Sequence, residues 1–512
     1  MRTASRPART IFLEHLPLVA ALAVVLVAAS YVNLHKSIWL DETFTLDRTR
    51  SSLSETLHLA RHQSLKPPLY FVLVYYWRQL SPTIEFTRLF STLCIMGAVV
   101  VFHRLSGLFQ HRAPWLSLGL LAAVTPHFLW AAAEARPYAL AVLCLTAAVY
   151  CFTRLWVTGT EHPVRDTIGF VLAGYAALLT FYYTGFVLAA LFLAGLVARR
   201  DLRRLVWCGV ALAVLLLPWI PNISEALSSQ AGSYLLDVEA RAQPDRWGPA
   251  APAVWLVRRI PAMIFRATPF LTRSWAEPLF WLLLGGLLAA RLATGRPRWS
   301  GEDTVFAVLG LGGFGALAGL RLLNLTTVDE RHWIVAVPGL LVLIARLAGG
   351  IRSDSISRAA GVSLLGFFAV AALSFVRNEQ GSADWKSATA AVMESERPGE
   401  PIVVFLTSHQ PFLYYYHGPN EVRRIPPAYA SPSRDPGLML APADLNRLLR
   451  HLSGSATGRF WVVEREWVGS GVDVFRRQIG PVEVLDQRAF HRIRVYRLRR
   501  GVGRLPPDPS SP

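Results

Sequence analysis

Along most of this chain, apolar residues come in blocks of about 20, each closed by arginines or by a connection rich in polar residues, proline or glycine. A block of that length with few charges is long enough to span a bilayer as a helix. Eleven candidate spans result, at roughly 12–33, 86–107, 114–132, 138–157, 167–182, 184–199, 203–221, 276–294, 303–322, 333–349 and 359–376. The fifth and sixth are short and joined by Tyr182-Tyr183-Thr184, which fits either a tight helical hairpin or one broken helix. The first follows Arg2, Arg6 and Arg9 and ends at Ala28-Ala29-Ser30, in the manner of a signal peptide. Because further apolar blocks follow, it reads as a retained signal anchor.

Two regions break the block pattern. In the first loop, about residues 34–85, Ser52-Leu53-Ser54-Glu55 has the form of a capping box. Leu53, Leu57 and Ala60 then follow at helical spacing. Lys66-Pro67-Pro68 predicts the stop, because proline disfavours helical geometry in the residue before it. Leu69 to Trp77 is apolar and aromatic but too short to span, and reads as a helix lying in the interface. The loop 222–275, punctuated by Pro244 and Gly248 and carrying Trp247, Trp255, Arg258 and Arg259, reads as a flexible cover over a cavity.

From about Asn378 the pattern becomes that of a small α/β domain. Asp384 to Glu394 predicts a helix, Pro401 to Leu406 a buried strand, Ala443 to Leu452 a helix, and Arg459 to Glu464 and Arg492 to Leu498 two more strands. The aromatic run Phe412 to Tyr416 reads as strand or core in preference to a sugar-stacking platform. The expected division is a membrane domain over 1–377, an extracytoplasmic α/β domain over 378–500 and a disordered tail over 501–512. The fold class is an α-helical polytopic membrane protein of about 11 spans with that small domain attached.

Composition supports the membrane reading. The chain is 53% hydrophobic and 17% charged, with a mean hydropathy of +0.35, against about 25% charged residues in soluble proteins. A net charge of +18 does not point to nucleic acid here, because the arginines cluster at the ends of apolar blocks as topology determinants do. That bias puts the N-terminus in the cytoplasm. It puts the Asp41 loop, the Glu134-Ala135-Arg136 turn, the 222–275 loop, the turn from Thr327 to Trp333 and the C-terminal domain outside. Lysine is rare (Lys36, Lys66 and Lys386), which singles out Lys66. The four cysteines lie inside apolar blocks, with neither metal-ligand spacing nor a disulfide framework.

The polar residues at the outer ends of the spans carry the candidate chemistry. They include Asp41, Glu42, Lys66, Arg88, Glu134, Arg136, Asp329, Glu330, Arg331 and His332. Ionisable groups this close to hydrocarbon cost energy and are retained where they pair or line a wet cavity. One base and several cations suit glycosyl transfer from a polyprenyl phosphate. A carboxylate deprotonates the acceptor hydroxyl, and cations take up the charge developing on the leaving phosphate. No general acid is needed, because phosphate leaves unprotonated, unlike the leaving group in glycoside hydrolysis. His58 and His62, four apart on one short helix, read as surface histidines. No cofactor is assigned, and a divalent metal stays open.

Trp39-Leu40-Asp41-Glu42, Lys66-Pro67-Pro68-Leu69-Tyr70, Arg88, and Glu134-Ala135-Arg136-Pro137-Tyr138 resemble the bacterial family 39 glycosyltransferases of the GT-C superfamily. That superfamily includes the protein O-mannosyltransferases and the lipid A aminoarabinose transferase. Arg331-His332-Trp333 and Asp384-Trp385-Lys386 also look like bacterial members. The resemblance is clear over about 30–200 and weakens beyond. It implies an inner-membrane transferase that moves a sugar from a polyprenyl-phosphate donor to an envelope acceptor (glycolipid, polysaccharide or protein), with inversion. Asp41 matches the acid that activates the acceptor, and Glu42 its neighbour. Lys66 matches the lysine that meets the lipid phosphate, where protein mannosyltransferases carry histidine. Arg136 and Arg331 would join it there, with Arg88, Glu134, Tyr138 and His332 in support. Three rival readings remain: an O-antigen ligase or polymerase, which favours a large late outer loop, a transporter or flippase for lipid-linked sugars, which favours inverted repeats, and a non-catalytic assembly partner built on the same fold.

Overall fold

The computed structural model describes residues 8–63, 66–109, 117–230, 257–258, 260–261, 263–265, 275–294, 301–322, 328, 330–378, 383–405, 409–425, 452, 458–465 and 482–500. The predicted loop 222–275 beyond residue 230, the helix at Ala443 to Leu452 and the tail 501–512 fall almost wholly outside these residues. The chain divides into two compact units, one of Met1–Leu34 with Asp47–Asn378, the other of His35–Leu46 with Glu379–Pro512.

The first unit is helical. Its long elements are α1 (Ala8–His35), α5 (Ile84–Phe109), α8 (Tyr138–Phe152, extended by a π turn to Thr158) and α11 (Leu202–Leu216), which continues through a 3₁₀ turn into α12 (Ile220–Gln230). After these come α13 (Ala276–Thr294), α14 (Gly301–Leu322), a 3₁₀ segment Glu330–Ala336 leading into α15 (Val337–Gly349), and α16 (Asp354–Asn378). Among the described residues, eight helical segments are long and apolar enough to cross a bilayer, and they are these. The other three predicted spans take shorter forms.

The span at 114–132 is two helices, α6 (Leu118–Ala123) and α7 (Pro126–Ala132). Pro126 has no N–H to continue the ladder, and Thr125 is turned out of helical geometry before it. Its described residues are packed inside the bundle. The fifth and sixth spans are α9 (Pro163–Leu178) and α10 (Thr184–Ala198). They form a hairpin, because a side chain added at Gly174 would touch Leu188 at 3.5 Å, which a continuous helix would hold about four turns away.

Glycine sets how closely helices approach at α14. A Cβ at Gly310 would lie 3.0 Å from the Gly339 carbonyl of α15, and one at Gly339 would lie 2.6 Å from the Leu309 carbonyl. Gly312 and Gly313 face Ala190 and Val187 of α10 in the same way. Close backbone approach through small residues is the packing mode of helices in lipid, where burial alone supplies little drive between them.

The first loop folds as short helices: α2 (Leu40–Arg48), α3 (Leu53–His58) with a π turn to Gln63, and α4 (Leu69–Arg78). The capping residue is Ser52, whose Oγ accepts the Glu55 backbone N–H at 3.1 Å.

The second unit is built on a five-stranded mixed sheet in the order β2-β1-β3-β5-β4. The strands are β1 (Ile402–Phe405), β2 (Val422–Ile425), β3 (Arg459–Arg465), β4 (Val482–Phe490) and β5 (Ile493–Arg500). β2, β1 and β3 run parallel, while β5 is antiparallel to β3 and β4. Helices α17 (Trp385–Ser395) and α18 (His409–Tyr415) complete it, with Trp385, Ile402, Val404, Phe412, Trp461 and Val495 in the core. The aromatic run expected as strand or core therefore lies on helix α18 and just beyond. Phe412 and Tyr416 are spaced one turn apart and stack in the core at 5.3 Å, whereas Leu413 is exposed.

Candidate active site

The cationic candidates lie in the first unit. Glu134 and Arg136 occupy the turn between α7 and α8, with exposures of 1% and 2%, and Tyr138 opens α8, also buried. Arg88 on α5 is fully buried, and its guanidinium donates at 3.3 Å to both the backbone and the side-chain oxygen of Asn33. One turn along, Thr92 donates to the Ala132 carbonyl at 2.9 Å and ties α5 to the approach of that turn. Two arginines and a glutamate buried at one end of an apolar bundle would be expensive without partners, and each of them engages other groups.

An aromatic wall runs from this turn. His127 and Trp130 are 5.5 Å apart, Trp130 and Tyr138 5.0 Å, and Phe181 meets the Tyr138 ring edge-on at 5.5 Å. His332, in the 3₁₀ segment, stacks on Tyr183 at 4.5 Å and lies 5.7 Å from Phe181. Ring packing thus brings Tyr138 and His332 beside one turn, residues 179–183. The Lys66 segment joins the same turn, because Leu69 N–H donates to the Leu179 carbonyl at 2.9 Å. Lys66 itself is half-buried and its backbone N–H closes onto Ala60 at 3.1 Å, while Pro67 and Pro68 are buried. Arg331 is half-exposed beside His332. Asp329 lies outside the described residues.

Sequence reasoning overlooked several of these residues. His127 is fully buried, and its Nδ1 bonds the Met263 carbonyl. Asn33 and Phe181 hold Arg88 and Tyr138, yet in sequence they are one amide and one ring among many. The one signal was a histidine inside an otherwise apolar stretch, with nothing to say which way it faced.

The two acids of the first loop, Asp41 and Glu42, belong to the second unit. Asp41 and Glu42 sit in the first turn of α2, where the helix dipole favours negative charge. Trp39 caps that helix, since its carbonyl accepts from Thr43 N–H at 3.2 Å. Glu42 is buried, and its carboxylate accepts the Trp39 backbone N–H at 3.4 Å, the returning half of a capping box. Asp41, half-buried, is left as the more accessible of the pair.

The rest of the second unit grips this segment. Ile38 N–H donates to the Tyr415 hydroxyl at 2.9 Å, and Thr43 Oγ1 bonds the Gln410 side-chain oxygen at 3.1 Å. Ser37 Oγ donates to Asp384 at 3.5 Å and accepts the Lys386 N–H at 3.1 Å. Asp384 also caps α17, accepting from Ser387 N–H at 3.1 Å. The motif Asp384-Trp385-Lys386 therefore does two physical things. It starts a helix, and it holds the segment leading to Asp41.

No protein-family model matches the chain, and no curated protein matches it. Solved structures do. ArnT from Cupriavidus metallidurans bound to undecaprenyl phosphate superposes with a TM-score of 0.53 at 12% identity, covering 94% of this chain and 97% of that one. The same protein in its apo state gives a TM-score of 0.54 with the same coverage. The chain has the ArnT fold. The likeness covers residues of both units. At 12% identity it is a likeness of fold, and the chemistry has to be argued from this chain's own residues.

Proposed function

We propose that this protein is a multi-pass inner-membrane glycosyltransferase. It transfers a hexosyl or pentosyl group from a polyprenyl-phosphate donor to an envelope acceptor on the extracytoplasmic face. The observation that carries the proposal is the ArnT fold over 94% of the chain, together with one ArnT structure that holds undecaprenyl phosphate. In this reading the N-terminus is cytoplasmic and the C-terminal unit extracytoplasmic, as the arginine distribution favours.

The proposed reaction is a single displacement with inversion. Asp41 accepts the proton of the acceptor hydroxyl, whose oxygen attacks the anomeric carbon. The bond from that carbon to the phosphate oxygen breaks, and its electron pair leaves on the phosphate. Lys66, Arg136 and Arg331 carry the charge that builds there, as positioned cations do for a developing anion. Glu42 acts through α2, holding the cap that aims Asp41. Arg88, Glu134, Tyr138 and His332 shape the phosphate end. The grip of Asp384, Gln410 and Tyr415 on residues 37–43 supports a positioning role for the C-terminal unit.

The test is transfer from labelled polyprenyl-phosphate sugars to an envelope extract by the purified protein in lipid. Asp41→Asn is expected to lower the rate by roughly 10²- to 10⁴-fold while the protein keeps its stability. Unchanged transfer by Asp41→Asn would sink the assignment of the base. No transfer with any donor would sink the enzyme reading itself.

A further inference from the structure

The bundle has a second charged region at its opposite end. α8 and its π turn run 21 residues from Tyr138 to Thr158, a rise of about 30 Å. At the far end a cavity of about 590 Å³ opens among the termini of α8, α10, α13, α14 and α15. Four arginines line it, Arg200, Arg291, Arg346 and Arg352, against two acids, Glu302 and Asp303.

The acids do not balance the arginines. Asp303, buried, is shared: its two oxygens take Arg291 and Arg346 at 3.2 Å each. Glu302 takes the other side of Arg346 at 2.9 Å. Arg200 bonds the Val157 carbonyl, a neutral partner, and Arg352 is exposed. Gly350 lets Arg291 reach its carbonyl, since a side chain there would overlap the guanidinium. The lining carries a formal excess of two positive charges, and a concave basic surface of this kind concentrates anions.

Part of the uncharged lining is apolar: Val197 and Ala198, exposed and half-buried in the last turn of α10, border the same space. Leu196 and Leu202 beside it are exposed on the outer face of the helices. A free inorganic anion would use only the arginines. A ligand with a phosphate head and a hydrocarbon chain would use both surfaces, and helix length sets the cavity at headgroup depth. Basic pockets between helix ends are the usual seats of anionic lipid heads.

We propose that this cavity, at the end of the bundle away from Arg136, holds the head of an anionic phospholipid between the ends of α10, α14 and α15. It does not depend on the transferase reading.

The test uses the full-length protein in phosphatidylcholine nanodiscs, titrated with phosphatidylglycerol and followed by native mass spectrometry for retained lipid. Wild type is expected to retain phosphatidylglycerol in preference to phosphatidylcholine. The double variant Arg200→Gln/Arg352→Gln, which leaves the Asp303 cluster intact, is expected to lose that preference by roughly tenfold. Arg352→Glu alone gives a second measurement and should lower it in the same direction. Equal retention of the two lipids by wild type would overturn the proposal, as would an unchanged preference in both variants. Displacement of the lipid by millimolar inorganic phosphate would overturn the lipid source, assigning the arginines to a soluble anion.

Discussion

The two units solve the same packing problem for different solvents. In the helical unit large apolar side chains face outward, Leu282 at 71% and Val362 at 65% exposure among them, while Arg88, Glu134 and Arg136 are inside. In the sheet unit the order is the ordinary one: Val403, Val404 and Val462 are buried, and a charged group such as Glu400 goes inside only with partners. Glu400 receives Arg497 at 2.6 Å and the Trp461 indole N–H at 3.0 Å. The contrast teaches what holds each together. Apolar burial against water drives the sheet unit. In the helical unit close contact through glycine carries more of the specificity, because lipid is as apolar as leucine.

The largest expected break in that contrast is at Gly339. Its replacement by leucine pushes a side chain into the Leu309 carbonyl, 2.6 Å from where the Cβ would stand. The cost should be about 3 kcal/mol or more, at the upper end for overpacking, and should appear as loss of folded protein on size exclusion after membrane extraction. Gly285→Leu on α13, where nothing lies within 4 Å, is the control and should extract normally. Equal behaviour of the two would mean that the α14–α15 contact does not set the packing.

A smaller effect separates the two solvents directly. Leu282→Arg puts a charge on the outer face of α13 and should cost about 2.5–3.5 kcal/mol if that face meets hydrocarbon. Leu413→Arg, at a position 41% exposed in the sheet unit, should fall within about 0.5 kcal/mol of wild type. Membrane-inserted yield and thermal midpoint in nanodiscs check both. A tolerated Leu282→Arg would show that its face meets water or protein.

The helices and the candidate residues could be read from the sequence to different degrees. Long apolar blocks announce themselves, and so does a local device such as Ser52 and Glu55, because both ends of the interaction lie within one turn. The break at Thr125-Pro126 was written in the chain too, but a buried segment stays apolar through its break. Strands β2 and β4 were missed because they are edges. β2 reads Val-Arg-Arg-Ile and β4 has Glu483, Asp486 and Arg488 with little burial, as charged edge strands do. Asp41, Lys66 and Arg136 stood out by type and order. That residues 35–46 pack with a domain more than 340 positions away did not, since no local pattern encodes so distant a partner.

The smallest expected effect, a pH dependence, sharpens the contrast from the sheet unit. His409 opens α18 beside Gln410, the residue that grips Thr43. Burial pushes its imidazole pKa down from the ordinary 6.5, and Arg424 adds to the shift. Its buried Nδ1 has no hydrogen-bond partner among the described residues. The folded state therefore disfavours the protonated ring, while the unfolded chain takes up the proton near the ordinary value. Stability from this group is complete above that value and is lost as pH falls from there through the lowered folded pKa. Acidification from about pH 7.5 to about pH 5 should lower the thermal midpoint of wild type more than that of His409→Asn, whose amide does not titrate in this range. The same acidification should leave the extraction contrast between Gly339→Leu and Gly285→Leu unchanged, because that contact involves backbone and methyl groups alone. If His409→Asn loses as much stability as wild type, the acid sensitivity lies elsewhere and the grip on Thr43 does not depend on a neutral His409.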